Sequence, residues 1–127
     1  MERRRLELQL VAARWGELEH AADLSWFIVP RWTLPPGWSR TETPVLVFVP
    51  PGYPVTPPDC FFAAPDLRLA NGAQPGNSGL QHQLGREWLW FSYHVDQSTW
   101  HPSADPASGH SLLTFLAGID RRFGEAS

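Results

Sequence analysis

No lysine occurs in the chain's 127 residues, and all ten basic side chains are arginine. Two explanations fit. A GC-rich genome favours arginine and also raises Ala, Gly, Pro and Trp. Alternatively, side-chain amines are excluded because something in the molecule reacts with them. There is one cysteine, Cys60, so no internal disulfide forms, which predicts a reducing compartment and a cytoplasmic protein. No run approaches eighteen consecutive apolar residues, which predicts no membrane span. The start, "MERRRLELQLVAARW", lacks an apolar signal core and a small-residue cleavage site, so no secretory leader is expected. Basic charge is also scarce. Asp and Glu total 13, the net charge is −3, and the only basic cluster is Arg3–Arg5, with a lesser pair at Arg121 and Arg122. Without a basic stripe interleaved with aromatics, a nucleic-acid partner is not expected.

What is present is apolar and aromatic. Hydrophobic residues make up 43% and aromatics 13%, enough to bury a core in one domain spanning 1–127. Residues 2–14 fit a helix with Leu6, Leu10 and Ala13 on one side, although "LELQL" also alternates with period two, as a strand does. "LSWFIVPRW" (24–32), "PVLVFVP" (44–50) and "DCFFA" (59–63) read as strands, the second with prolines at both ends where pairing stops. The stretch 64–85 is rich in Gly, Asn, Pro and Gln and reads as a long irregular loop, a length that is uncommon and often functional. "HSLLTFLAGIDRRF" (110–123) is the clearest helix. Leu112, Leu116, Ile119 and Phe123 form one apolar face, Ser108 or Ser111 caps the start, and Arg121 and Arg122 suit the C-terminal dipole. Antiparallel strands followed by a late helix indicate an α+β domain.

"VFVPPGYPVTPPDCFF" resembles the signature of ubiquitin-conjugating enzymes, in which a strand ends in proline and is followed by Tyr-Pro, Pro-Pro and a short fourth strand. An aromatic before proline also makes Tyr53–Pro54 a candidate cis bond. Further on, Trp100 and Pro102 resemble the family's Trp-x-Pro before a leucine-rich helix. The resemblance covers about 24–123 and is closest to the prokaryotic ubiquitin-conjugating-enzyme-like family E. Gly85, Arg86 and Trp88 match that branch's Gly-Arg-x-Trp, while Phe91, Ser92 and His94 match its Trp-Ser-x-His, with Phe for Trp. "PASGH" (106–110) looks like a small insertion. The resemblance implies an antiparallel meander sheet flanked by an N-terminal helix or strand and a C-terminal helix.

The resemblance also bears on the nucleophile. The family's catalytic cysteine precedes Trp-x-Pro by about eight residues, and the eighth residue before Trp100 is Ser92. Cys60 instead follows the double proline, in a position expected to pack into the sheet far from the transfer site, with a thiol of high pKa. The family's His-Pro-Asn, whose asparagine supports the oxyanion, is missing. Asn77 and His82 are the two candidates to replace it. A serine nucleophile needs a base within hydrogen-bond reach, which points to His94, with Asp96 to orient it. The chance occurrence of Ser, His and Asp within five residues is the competing account. Trp88, Trp90 and Trp100 either wall the site or pack the core, and Trp26 and Trp32 suit the core or a sheet face. Asp105 is either near the site or a solvated loop acid.

His82, His94, His101 and His110 are separated by twelve, seven and nine residues, which fits no common zinc spacing, so neither a metal nor a cofactor is expected. The implied function is a bacterial conjugating enzyme. It would take a ubiquitin-like modifier from an activating-enzyme-like protein as an oxyester on Ser92 and pass it to an acceptor. In that setting the lysine-free composition protects a loaded enzyme from modifying itself, and Arg3–Arg5 either dock the activating enzyme or form a solvated helix face. Bacterial systems of this type resemble antiviral cassettes. Two alternatives stay open: an inactive variant serving as a binding or scaffold module, and a small hydrolase built on Ser92 and His94.

Overall fold

Strand side chains alternate between opposite faces, so the four central strands here serve two separate clusters. The computed structural model describes residues 2–127. In chain order it contains α1 (Glu2–Trp15), β1 (Glu19–His20), β2 (Trp26–Thr33), β3 (Glu42–Phe48), β4 (Cys60–Ala63), β5 (Ser78–Gln83), β6 (Arg86–Ser92) and α2 (Leu112–Gly124). The strands form one antiparallel sheet in the order β1-β2-β3-β4-β6-β5. Phe27, Val29, Val45, Val47, Phe61, Leu89 and Phe91 face the main core and meet the buried residues of both helices. Ile28, Leu46, Phe62 and Trp88 form a second cluster, edged by Trp26, Phe48, Cys60 and Trp90, which takes no residue from either helix.

Two irregularities set the register of β2 and β3. A bulge lies between Val29 and Trp32, at Pro30 and Arg31, where proline's missing N–H does no harm. It restores Trp32 to the core side, where it is buried and stacked on Trp15. Pairing then continues past Pro44 to Thr43 and Glu42, so that proline does not end the strand as expected.

The register of β4 against β6 matters most. Phe61 and Phe91 are directly opposed and stacked at 4.8 Å, with Phe123 of α2 edge-on to both. Such aromatic pairs contribute roughly 0.5–1.5 kcal/mol beyond burial. One step along, the same register sets Cys60 opposite Ser92.

The stretch 64–85 is less irregular than its composition implies. It contains β5 and a two-residue turn, Leu84–Gly85, whose φ values of 55° and 76° suit a tight hairpin. β5 is the outermost strand and its faces are largely exposed, so its residues need not alternate with apolar ones.

Helix α1 buries Glu7, Leu8 and Val11, not the Leu6, Leu10 and Ala13 strip; Leu6 is 40% exposed. The face is turned because Glu7, fully buried, accepts from the Leu112 backbone N–H (2.8 Å), from the Tyr53 hydroxyl and from Arg3 Nε (2.7 Å). Burial, and then this bonded carboxylate, push the Tyr53 hydroxyl above its ordinary range. Tyr53–Pro54 is cis. Arg3 also donates to the Ser103 carbonyl, and Arg4 to the carbonyls of Leu24, Pro50 and Pro51. These two guanidinium groups are therefore committed within the molecule. Ser111, rather than Ser108, caps α2, in a capping box with Thr114.

Candidate functional site

Ser92 is the last residue of β6, and the alternation that puts Leu89 and Phe91 in the main core puts Ser92 on the other side with Trp88 and Trp90. It is half-buried. Its backbone N–H donates to the Asn77 carbonyl at 2.8 Å, and Cys60 lies on its other flank. Beyond the strand the chain bends so that His94, two residues on, brings Nε2 to 3.1 Å from Ser92 Oγ. The Nδ1 atom of His94 lies 2.8 Å from Asp59 Oδ1. An ionised carboxylate only accepts, so Nδ1 carries the proton and donates to Asp59. In the neutral ring Nε2 is then an acceptor for the serine hydroxyl. The three side chains form a Ser–His–Asp relay with the polarity required of a nucleophile, a base and an orienting acid.

The relay is open to solvent. The side chains of His94 and Asp59 are 63% and 83% exposed. An ion pair so exposed adds little to stability, so its consequence is orientation. Asp59 is placed from behind by Pro57 and Pro58, whose fixed φ angles limit the chain entering β4.

Asp96 does not orient His94. Its carboxylate accepts from the backbone N–H (2.9 Å) and hydroxyl (2.7 Å) of Ser98, and these bonds, the hydroxyl's first, hold its pKa below the ordinary carboxylate value. A local turn captures it, because an aspartate side chain readily bonds the backbone two residues on.

The tryptophans separate. Trp90 flanks Cys60 and Ser92 on the same face. Trp100 lines a groove of about 450 Å³ with His94, Tyr93, Val95 and Phe115. Its indole N–H donates to the Pro54 carbonyl at 2.7 Å, and its ring stacks on His110. Trp88 does not wall the site. It is fully buried, four residues back along β6, with its N–H on the Gln83 carbonyl and the Arg86 guanidinium 3.9 Å above its ring.

Of the two candidates for the missing asparagine, Asn77 is Ser92's strand neighbour, whereas His82 pairs with Glu87 toward the hairpin tip. Asp105 caps a turn through the Ala107 N–H in the loop before α2, where His101 and His110 bond each other across its neck. Among the described residues, no group of three or more His, Cys, Asp or Glu is arranged to hold a metal, and no helix is long and apolar enough to cross a membrane.

Cys60 is not remote from Ser92, as its place in the motif suggests, but directly across the strand pair. The strand order explains the error, because β6 pairs with β4 and the β5–β6 hairpin folds outside it. Cys60 is half-buried, and burial, the largest effect, pushes its thiol pKa up; a hydrogen bond from Trp90 offsets part of this, and the Asp59 charge adds to it.

The family model for prokaryotic E2 family E matches residues 4–126. The chain belongs to that family. The six-stranded antiparallel sheet with an N-terminal and a C-terminal helix is accordingly a ubiquitin-conjugating-enzyme-like α+β fold. Membership in family E carries a role in ubiquitin-like conjugation in general, together with ubiquitin-like proteins and activating-enzyme-like proteins. No curated protein and no solved structure matches the chain.

Sequence reasoning missed two side chains that the structure brings into play, Asp59 beside His94 and the buried Glu7. Asp59 was in view inside "PPDCFF", but pairing it with His94 requires knowing that β4 and β6 are neighbours. Glu7 carried no signal, because it lies off the Leu6, Leu10 and Ala13 strip and reads as a solvated acid.

Proposed function

We propose that this family E protein accepts the C-terminal carboxyl of a ubiquitin-like protein on Ser92 as an oxyester and transfers it to an acceptor. The observation that carries the reading is the hydrogen-bonded chain Ser92 Oγ–His94 Nε2, His94 Nδ1–Asp59 Oδ1. Ser92 attacks the carbonyl carbon of the activated carboxyl. The Oγ–C bond forms, the bond to the activating group breaks, and the hydroxyl proton passes to His94 Nε2, leaving the imidazolium beside Asp59. His94 then gives that proton to the departing group. In the second half, an amine or another acceptor attacks the ester carbon and gives a proton to Nε2, the C–Oγ bond breaks, and His94 passes that proton to Oγ.

One further observation favours Ser92 over Cys60: burial keeps the cysteine in its less nucleophilic thiol form. A chain without lysine offers no side-chain amine to attack its own ester. The lone cysteine suits a reducing compartment, so the proposal sets the reaction in the bacterial cytoplasm.

The test is reconstitution with ATP, the activating-enzyme-like protein and the ubiquitin-like protein. The expected product is a mass adduct that resists thiols and is released by alkali. It persists in Cys60→Ala and vanishes in Ser92→Ala. Tight binding of the modifier with no adduct would overturn the reading in favour of a binding or scaffold module. A thiol-labile adduct lost in Cys60→Ala would move the nucleophile across the strand pair.

A further inference from the structure

The relay needs no protein partner to operate on a small acyl donor. We infer that the chain by itself hydrolyses small activated acyl compounds, aryl esters and thioesters, through an acyl-Ser92 intermediate, and leaves amides uncut. This rests on Ser92 as the nucleophile, as above, but on no modifier and no activating enzyme.

Two observations carry it. First, the serine, base and orienting acid are already hydrogen-bonded without any partner, so acylation awaits no assembly step. Second, His94 is 63% exposed, so water reaches Nε2 once an acyl group occupies Oγ. With no lysine in the chain, no side-chain amine competes with that water.

Both half-reactions balance. In acylation, the Oγ–C bond forms and the C–O(aryl) or C–S bond breaks. The serine proton moves to Nε2 and then to the departing aryloxide or thiolate. In deacylation, water gives a proton to Nε2 as its oxygen bonds the acyl carbon. The C–Oγ bond breaks and the proton returns to Oγ. The net change is ester plus water to acid plus alcohol or thiol.

The limit to activated donors follows from the strand. In serine hydrolases the nucleophile's own N–H often stabilises the oxyanion, but here the Ser92 N–H is held by the Asn77 carbonyl at 2.8 Å within the sheet pairing. Loss of one oxyanion donor costs about 10²–10³ in rate. A phenolate or thiolate leaves readily enough to tolerate that deficit, and an amine does not.

The experiment uses the full chain without ATP or partners. It follows p-nitrophenol release from p-nitrophenyl acetate, thiol release from a short peptide thioester, and p-nitroaniline release from a peptide p-nitroanilide. Turnover of the first two is expected, with none of the third, and with a transient acyl adduct on Ser92 by mass spectrometry. Cys60→Ala, which removes the competing thiol, keeps the rate within about twofold. His94→Gln lowers it by about 10²–10⁴-fold, the range for loss of a general base. Ser92→Ala returns it to the buffer rate with an unchanged melting temperature. Wild-type rates equal to buffer, or full activity in Ser92→Ala, overturn the inference, and cleavage of the anilide overturns the leaving-group limit. Failure here and failure of the conjugation reading are separable. A thiol-resistant modifier adduct with no ester turnover sinks only the hydrolase, and ester turnover with no modifier adduct sinks only conjugation.

Discussion

A carboxylate beside an imidazole fixes which ring nitrogen carries the proton. Asp59 holds it on Nδ1 of His94, which leaves Nε2 free to accept from Ser92. In Asp59→Asn the amide can turn its N–H₂ toward Nδ1 and move the proton to Nε2, where it faces the hydroxyl it should receive from. Ester turnover or modifier loading is expected to fall roughly 10–10³-fold, less than the about 10⁴-fold of a buried triad, because solvent screens this carboxylate. Nitrogen-15 NMR of the imidazole is expected to report the tautomer change, which a purely structural loss would not produce. At the neighbouring position, burial raises the thiol pKa of Cys60, so its thiolate fraction at neutral pH falls below that of a free cysteine, whose pKa is about 8.5. Iodoacetamide labelling is expected to lag that of a small thiol near pH 7 and to recover only as the pH rises above the ordinary thiol value. Equal rates at pH 7 would contradict the burial.

At the scale of elements, helix α2 and the exit of β6 are fitted to one another at Gly118. A Cβ there would stand 1.9 Å from the Tyr93 hydroxyl, and Tyr93 lies between Ser92 and His94 in the chain. Gly118→Ala is expected to cost about 1–3 kcal/mol by overpacking and to lower activity by shifting Tyr93, measured by denaturant unfolding and ester turnover in parallel. Ser111→Ala removes the cap of the same helix and is expected to cost about 1 kcal/mol. The apolar face of α2 was legible because Leu112, Leu116, Ile119 and Phe123 repeat at helical spacing and all four are buried. β5 was not, because an outermost strand exposed to water carries no apolar alternation, and "SGLQHQ" reads as loop. The hairpin turn also escaped notice, since Leu84 adopts a positive φ, 55°, that its side chain does not advertise. Ser92 came into view through its spacing from Trp100 and His94 through its place two residues on; their partner Asp59 did not, because a cross-sheet neighbour depends on strand order.

At the scale of the molecule, one buried carboxylate joins parts distant in sequence. Glu7 accepts from the start of α2 and from the tyrosine of the proline-rich turn, and it pairs with Arg3, which also reaches the loop before α2 at Ser103. Glu7→Leu leaves the Leu112 N–H and the Tyr53 hydroxyl without this acceptor, and is expected to cost about 3 kcal/mol, read as a lowered thermal midpoint. Glu7→Gln, which keeps one acceptor oxygen, is expected to lose less; equal losses would place the effect in packing. The overall α+β class was readable from three apolar strands and a late helix, but the joint was not, because it is made by an acid that falls off the apolar strip of Leu6, Leu10 and Ala13 and so reads as solvated. The placing of Cys60 opposite Ser92 bears on how the protein would behave under inhibitor screening. A maleimide seated on that sulfur would crowd the hydroxyl next door and abolish acyl loading. Inactivation by a thiol poison would then look like cysteine chemistry, while on the proposed reaction the residue that forms the bond lies one strand away.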